Sequence, residues 1–323
     1  MKKISKKGWI EIAISATIFS ALLIIASFYD LKINIALYAP HTLFGQFFAH
    51  LGELPAHLAI PTVGVIFFHQ NFAKTPKYNT IIKLLSIAII AAGWYLTVNW
   101  VWNNFSDSNI DFSIVYKIFF VIFMTIMTVL GTYRLNSPVM RKLFIFAVFT
   151  VIVVALSNGI VQLMKIIWAR QRFRTMVDVP QNADLLAAYG YNFEGFTPWY
   201  KPMSILKSEL RSSEYMRLFN DLDSDAFKSF PSGHVVAASA SFSLILLPDI
   251  FAKLNKYRWA FWVTPICYTV LVAISRIVMG AHYLSDVIFG GFIGFTIAIV
   301  SRFIIIQKII NKQTENEKNL EVN

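Results

Sequence analysis

Charged residues are scarce in this sequence: Asp, Glu, Lys and Arg make up 15% of its 323 residues, against 56% apolar residues and a mean hydropathy of +0.57. A water-soluble domain of this length would lack the charged surface that keeps it in solution, so the expected solvent is lipid. Cysteine is nearly absent too. The single Cys267 excludes an intrachain disulfide, and its place inside an apolar run reads as packing. Internal repeats and low-complexity tracts are missing, which excludes a repeat architecture. No small-residue cleavage site follows the first apolar segment, so that segment is expected as a retained span despite Lys2, Lys3, Lys6 and Lys7 before it.

What the sequence does have is long apolar runs. A membrane span needs about 20 mostly apolar residues. Such runs fall at Trp9–Phe28, Leu43–Phe68, Ile81–Trp102, Phe112–Gly131, Leu143–Ile167, His234–Leu247, Trp259–Ile274 and Tyr283–Ile306. The expected fold is therefore all-α, a polytopic transmembrane helix bundle of eight spans. Pro55 and Pro61 interrupt the second run, and the sixth is short with a polar start.

The net charge of +11 does not point to nucleic acid, because the cations gather in alternate loops as the positive-inside rule requires. The Lys-rich N-terminus, Lys74 and Lys77, Arg134, Arg141 and Lys142, Lys253, Lys256 and Arg258, and Lys308, Lys312 and Lys318 all fall on one side of an eight-span thread. That side is expected to be cytoplasmic, with both termini. The Asn103–Asp111 loop, with Asp107 and Asp111 and no Lys or Arg, falls outside, as does the long Ala169–Phe230 segment. Within that segment Tyr189, Tyr191, Phe193, Phe196, Trp199 and Tyr200 stand among Gly190, Gly195 and Pro198. The stretch reads as an irregular cap with rings at headgroup level, an aromatic belt that can also gate a lipid substrate. The tail Asn311–Asn323 reads as a solvated end.

Three clusters of phosphate-handling residues fall where spans meet the outer face. Lys165 and Arg172 are seven residues apart, two turns on one face of a helix expected to continue through both, with Asn158 and Gln162 extending a polar stripe inward. Arg170 and Arg174 read as interfacial snorkelling. Pro231-Ser232-Gly233-His234 opens the sixth span, where free backbone N–H groups, a hydroxyl and a close-approach glycine suit an anion; an ordinary helix cap uses the same residues. Ser275-Arg276, His282 and Asp286 cross the next outer turn. His282 and Asp286, four apart, share a helix face, so the carboxylate is expected to bond one imidazole nitrogen and leave the other free to attack. A metal ligand with its supporting carboxylate is the other use of such a pair, but no third ligand stands nearby and Arg276 would repel a cation. His50, Glu53 and His57 share another face; they read as interfacial polar residues, with a metal site or substrate contact as the alternative.

The set Lys165-x6-Arg172, Pro231-Ser232-Gly233-His234, Ser275-Arg276-x5-His282-x3-Asp286 resembles the type 2 phosphatidic acid phosphatase (PAP2) superfamily, which includes glucose-6-phosphatase and vanadium haloperoxidases. In that family the first motif ends Arg-Pro; here Phe173 follows Arg172. The resemblance begins at the fifth span. It implies N-terminal helices over 1–142, a PAP2-like catalytic membrane domain over 143–307 with an outer loop at 169–230, and a cytoplasmic tail over 308–323. The five spans before the first motif exceed what the commonest bacterial members have, so the N-terminal region is not explained by it. The implied chemistry uses no cofactor or metal: His282, oriented by Asp286, attacks phosphorus, and His234 protonates the leaving oxygen. Lys165, Arg172, Ser232, Gly233 and Arg276 neutralise the phosphoryl oxygens.

The implied substrate is a lipid phosphate in the bilayer. Undecaprenyl diphosphate, phosphatidate, phosphatidylglycerophosphate and lipid A phosphates are all compatible, with a polyprenyl diphosphate favoured because an outward site suits carrier-lipid recycling. The same intermediate resolved by a hydroxyl would make a phosphotransferase. A transporter or scramblase would instead place charged or helix-breaking residues near mid-span. A haloperoxidase does not suit a membrane-embedded chain.

Overall fold

Proline and glycine decide where these helices break and how closely they meet. The computed structural model describes residues 6–70, 75–105, 114–135, 137–178, 196–202 and 225–307. Lys2, Lys3, Lys74, Asp107, Asp111, Tyr189, Gly190, Tyr191, Phe193, Gly195 and the 308–323 tail, all singled out above, lie outside them. The described elements are α1 (Lys6–Leu37), α2 (Leu43–Leu51), α3 (Leu54–Phe68), α4 (Pro76–Phe105), α5 (Ile114–Thr132), α6 (Ser137–Trp168) and α7 (Phe173–Asp178). After residue 225 come α8 (Gly233–Ser239), a 3-10 stretch at Ala240–Leu246, α9 (Leu247–Ile250), a second 3-10 stretch at Ala252–Tyr257, α10 (Arg258–Val278) and α11 (Leu284–Ile305). There is no strand among the described residues.

Eight helical segments among the described residues are long and apolar enough to cross a membrane, and each answers to one expected run. The chain is a multi-pass, all-α membrane protein. The first segment differs from expectation at one end: it runs to Leu37, past Phe28, and carries Asp30 and Asn34 inside the helix. Those polar residues mark a buried contact and not the end of the span, since Asp30 and Asn34 are 2% and 0% exposed. The second run breaks before Pro55 but not at Pro61, which lies inside α3. Pro55 enters the first turn of α3, where its missing N–H costs nothing, and α2 stops before it at Leu51.

The helices divide into two compact units. One comprises His50–Leu156, Ala237–Tyr268 and Gly294–Asn323. Its packing begins with α3 against α4. A Cβ on Gly93 would come within 2.6 Å of the Pro61 ring and 2.7 Å of the Pro61 nitrogen, so only a bare glycine lets the α4 backbone lie against the proline of α3. Ile90, Val63, Ile66, Met140 and Ala147 fill the core beside that contact, and Trp94 donates to Thr128 of α5 at 2.9 Å. In the same unit Asp249 accepts Arg302 at 2.7 and 3.0 Å and Arg258 at 2.7 Å, joining α9, α10 and α11. His57 stacks on Trp100 with ring centres 4.6 Å apart and lies 3.8 Å from Glu53. Among the described residues no three His, Cys, Asp or Glu side chains are grouped to hold a metal ion, His50, Glu53 and His57 included.

The other unit comprises Met1–Ala49, Ser157–Val236 and Thr269–Ile293, and it contains all three clusters expected to handle phosphate. The described part of the aromatic stretch packs down within it. Trp199 donates to Ser27 of α1 at 3.0 Å and lies 5.0 Å from the ring of Phe289, while Trp168 donates to the Trp199 carbonyl.

Replacing Gly93 by Ala forces its methyl into the Pro61 backbone, an overpacking that costs about 1–3 kcal/mol. A lowered melting midpoint in detergent is the expected result; an unchanged midpoint would show that α3 and α4 yield freely.

Candidate active site

The centre of this unit is a guanidinium removed from water. Arg170 is 1% exposed, and each nitrogen of its side chain donates: Nε to the Thr197 carbonyl at 2.9 Å, Nη1 to Ser285 Oγ at 2.8 Å and to Asp286 Oδ1, and Nη2 to Asp30 Oδ2 at 3.0 Å. The Tyr283 ring covers its face at 4.0 Å and Phe196 lies at 5.2 Å. The snorkelling expected of Arg170 is therefore wrong. A buried guanidinium needs carboxylates and an acceptor at each nitrogen, and this one has both.

That pairing redirects the chain. Helix α6 ends at Trp168, Ala169 adopts a left-handed backbone with φ 42°, and Arg172 reaches the site from an irregular turn. The expected continuous helix through Lys165 and Arg172 does not form, because the backbone is claimed elsewhere: Arg172 N–H donates to the Ala226 carbonyl at 2.8 Å and Ser229 N–H to the Arg170 carbonyl at 3.0 Å. Left-handed backbone at a residue with a Cβ costs about 1–2 kcal/mol. Phe173, where the motif has proline, opens α7 and is 5% exposed, its ring edge-on to Tyr38 and Tyr283.

The histidine turn is set by the end of α10. Gly280 takes φ 63°, the conformation that favours glycine, and the Arg276 carbonyl accepts both Ala281 N–H at 3.1 Å and His282 N–H at 3.2 Å. This fixes Arg276 and His282 at either end of one turn. Asp286, in the first turn of α11, accepts Tyr283 N–H at 2.9 Å in the manner of a capping box and Ser229 Oγ–H at Oδ2.

His282 and Asp286 come together, but not as expected. Nδ1 lies 3.7 Å from Asp286 Oδ2, whereas the Ser229 carbonyl lies at 2.6 Å. A carbonyl only accepts, so Nδ1 carries the proton and donates it, leaving Nε2 with its lone pair. Asp286 acts on the ring at one remove, by holding the Ser229 hydroxyl. Nε2 is buried and makes no hydrogen bond to the described residues. Burial first, then the charges of Arg172, Arg276 and Lys165, hold the His282 ring well below the ordinary imidazole value, so it is neutral at physiological pH.

The remaining candidates are brought to the same place. Arg172 and Arg276 are each 4% exposed. Lys165 Nζ stands 3.0 Å from where a Cβ on Gly233 would lie, so the missing side chain leaves room for the amine. Ser232 is fully buried; its N–H donates to the Asp286 carbonyl at 3.0 Å and its Oγ accepts Val235 N–H at 3.4 Å, capping α8. His234 is the second residue of α8 and is half-buried.

Sequence reasoning missed five residues here. Asp30, Asn34, Arg170 and Ser229 form the frame, and Asp225 accepts Arg172 at 3.3 Å and Lys228 at 3.0 Å. Burial works to raise the Asp225 carboxyl, but Arg172, Lys228 and Lys165 together hold it below its usual value. One available signal was the spacing of Ser27, Asp30 and Asn34, a polar stripe at i, i+3 and i+7 within a span.

A ring held below its unfolded value of about 6.5 binds its proton more readily in the unfolded chain, so its burial costs stability once pH falls below that value. Between about pH 7 and about pH 5 the wild-type melting midpoint in detergent is expected to fall more steeply than that of His282→Gln. Equal slopes would contradict a neutral His282.

Residues 143–309, more than half of the chain, match the model of the PAP2 superfamily. A protein of Rhizobium etli described as lipid A 1-phosphatase is 40% identical over 79 residues, a stretch that covers 23% of this chain and 30% of that protein. No solved structure matches. With an all-α multi-pass fold, and with Lys165, Arg172, Ser232, Arg276, His282 and Asp286 assembled in one unit, the chain belongs to the PAP2 superfamily.

Proposed function

We propose that this protein is a membrane phosphatase that hydrolyses a phosphate ester or diphosphate of a lipid through a phosphohistidine on His282. The observation that carries this reading is the His282 ring: Nδ1 is committed to the Ser229 carbonyl, and Nε2 is neutral, buried and without a hydrogen bond to the described residues, beside Arg172, Arg276 and Lys165. A nucleophile needs a free lone pair, and a transferring phosphoryl group needs its oxygens neutralised.

In the proposed reaction Nε2 donates its lone pair to phosphorus while the bond to the lipid oxygen breaks. The leaving oxygen takes a proton from His234. Lys165, Arg172 and Arg276 hold the phosphoryl oxygens, with the Ser232 hydroxyl proton and the Gly233 N–H as neutral donors. Water then attacks the phosphohistidine, His234 accepts its proton, the N–P bond breaks and inorganic phosphate leaves. Arg170 takes no part in holding phosphate, since Asp30, Asp286, Ser285 and Thr197 occupy its donors. This chemistry uses no metal.

Orientation follows from charge. Lys77, Arg134, Arg141, Lys142, Lys253, Lys256 and Arg258 stand in the connections opposite those that carry the three motifs, which supports cytoplasmic termini and an extracytoplasmic site. The phosphorylated lipid is read by its phosphate. The Rhizobium etli relative, described as lipid A 1-phosphatase, adds weight to a lipid A phosphate beside polyprenyl diphosphate, phosphatidate and phosphatidylglycerophosphate.

The test is inorganic phosphate release by the purified protein in EDTA against those lipids. At least one lipid is expected to be hydrolysed, and His282→Ala to lose about a thousandfold or more in rate. Activity that the mutant retains, or that EDTA abolishes and a divalent ion restores, would overturn the reading.

A further inference from the structure

The first helix lies outside the stretch that matches the family, and its buried carboxylate has no part in the chemistry proposed above. A carboxylate inside a span is costly unless it is fully paired. Asp30 is fully paired, and all its partners lead to the histidine turn: Oδ1 accepts Ser285 N–H at 2.8 Å, and Oδ2 accepts both Ser285 Oγ–H and Arg170 Nη2. Four residues on, Asn34 Nδ2 donates to the His282 carbonyl at 3.1 Å. One face of α1 thus grips the turn at two points, the carbonyl of His282 and the amide of Ser285.

We propose that Asp30 is a positioning residue for phosphoryl transfer, acting through Arg170, Asp286 and Ser229 on the His282 ring, with Asn34 holding the same turn. The line of contacts is continuous. Asp30 holds one edge of the Arg170 guanidinium and Arg170 holds Asp286 Oδ1. Asp286 Oδ2 takes the Ser229 hydroxyl, and the Ser229 carbonyl takes His282 Nδ1–H. Arg170 and Asp286 alone would neutralise each other. The second carboxylate adds direction: it holds Nη2 of the guanidinium while Asp286 holds Nη1, and it satisfies an N–H at the α11 N-terminus.

The proposal rests on His282 being the nucleophile, so its test needs an arm that does not depend on turnover. Asp30→Asn, Asp30→Glu and Asn34→Ala are made in the full-length protein and purified in detergent. Asp30→Asn is expected to lower kcat about tenfold or more with KM within about twofold, because misplacing the attacking atom leaves ground-state binding intact. Asp30→Glu should recover part of that loss, and Asn34→Ala should show the same split more weakly. Orthovanadate, which becomes five-coordinate by accepting a fifth donor such as an imidazole nitrogen, should bind Asp30→Asn more weakly by a similar factor, while competition by inorganic phosphate changes little. If wild type turns over no lipid phosphate, the proposed function fails, and the vanadate comparison still decides the role of Asp30. A kcat within about twofold of wild type for Asp30→Asn, with vanadate affinity unchanged, would overturn the proposal, as would losses in all variants that only track the loss of folded protein. Should Asp30→Asn not fold, Asp30→Glu and Asn34→Ala carry the same comparison.

Discussion

A guanidinium taken out of water needs an acceptor at each nitrogen, and Arg170 finds them on elements that are far apart in the chain: Asp30 from α1, Ser285 and Asp286 from α11, and the Thr197 carbonyl from the described part of the long connection. Each partner constrains something else. Asp286 caps α11 and holds Ser229, Asp30 satisfies the Ser285 amide, and the Arg170 carbonyl takes Ser229 N–H. The end of α6 at Trp168 and the left-handed Ala169 are local consequences of bringing this one side chain inward. Removing any single partner would leave a buried charge or donor unmatched, which is why the arrangement acts as a unit.

Four cations among the described residues converge on the site, and they divide by task. Arg170 is neutralised by two carboxylates and covered by Tyr283, so its charge is used within the protein. Lys165, Arg172 and Arg276 are the charges that depress the neighbouring imidazole. Burial first, and that positive field second, keep the His282 ring neutral, and the same field is what a phosphoryl group would meet. Without the two carboxylates on Arg170, the frame that supports the histidine turn would be lost.

How much of this was legible depends on distance along the chain. The eight spans were readable because lipid imposes length and composition on each helix separately. The motif residues were readable because their functional types lie close in sequence, as His282 does to Asp286. Asp30 and Arg170 were not: their pairing spans 140 positions, and each alone looks like an ordinary polar residue at a helix end. The Ser229 carbonyl that orients His282 leaves no mark in the sequence, since every residue has a carbonyl. Lys165 and Arg172 both act on the His282 ring, but not by the expected route, because helical spacing was assumed where the backbone in fact leaves the helix.

One measurement bears most directly on a histidine that attacks phosphorus. Wild-type protein mixed rapidly with a lipid substrate labelled in its phosphate, and quenched in alkali to preserve a phosphoryl–nitrogen bond, should carry the label on the peptide containing His282, formed no more slowly than turnover. Label on a different residue, or phosphate release at full rate with no label on the protein at any quench time, would contradict a phosphohistidine on His282.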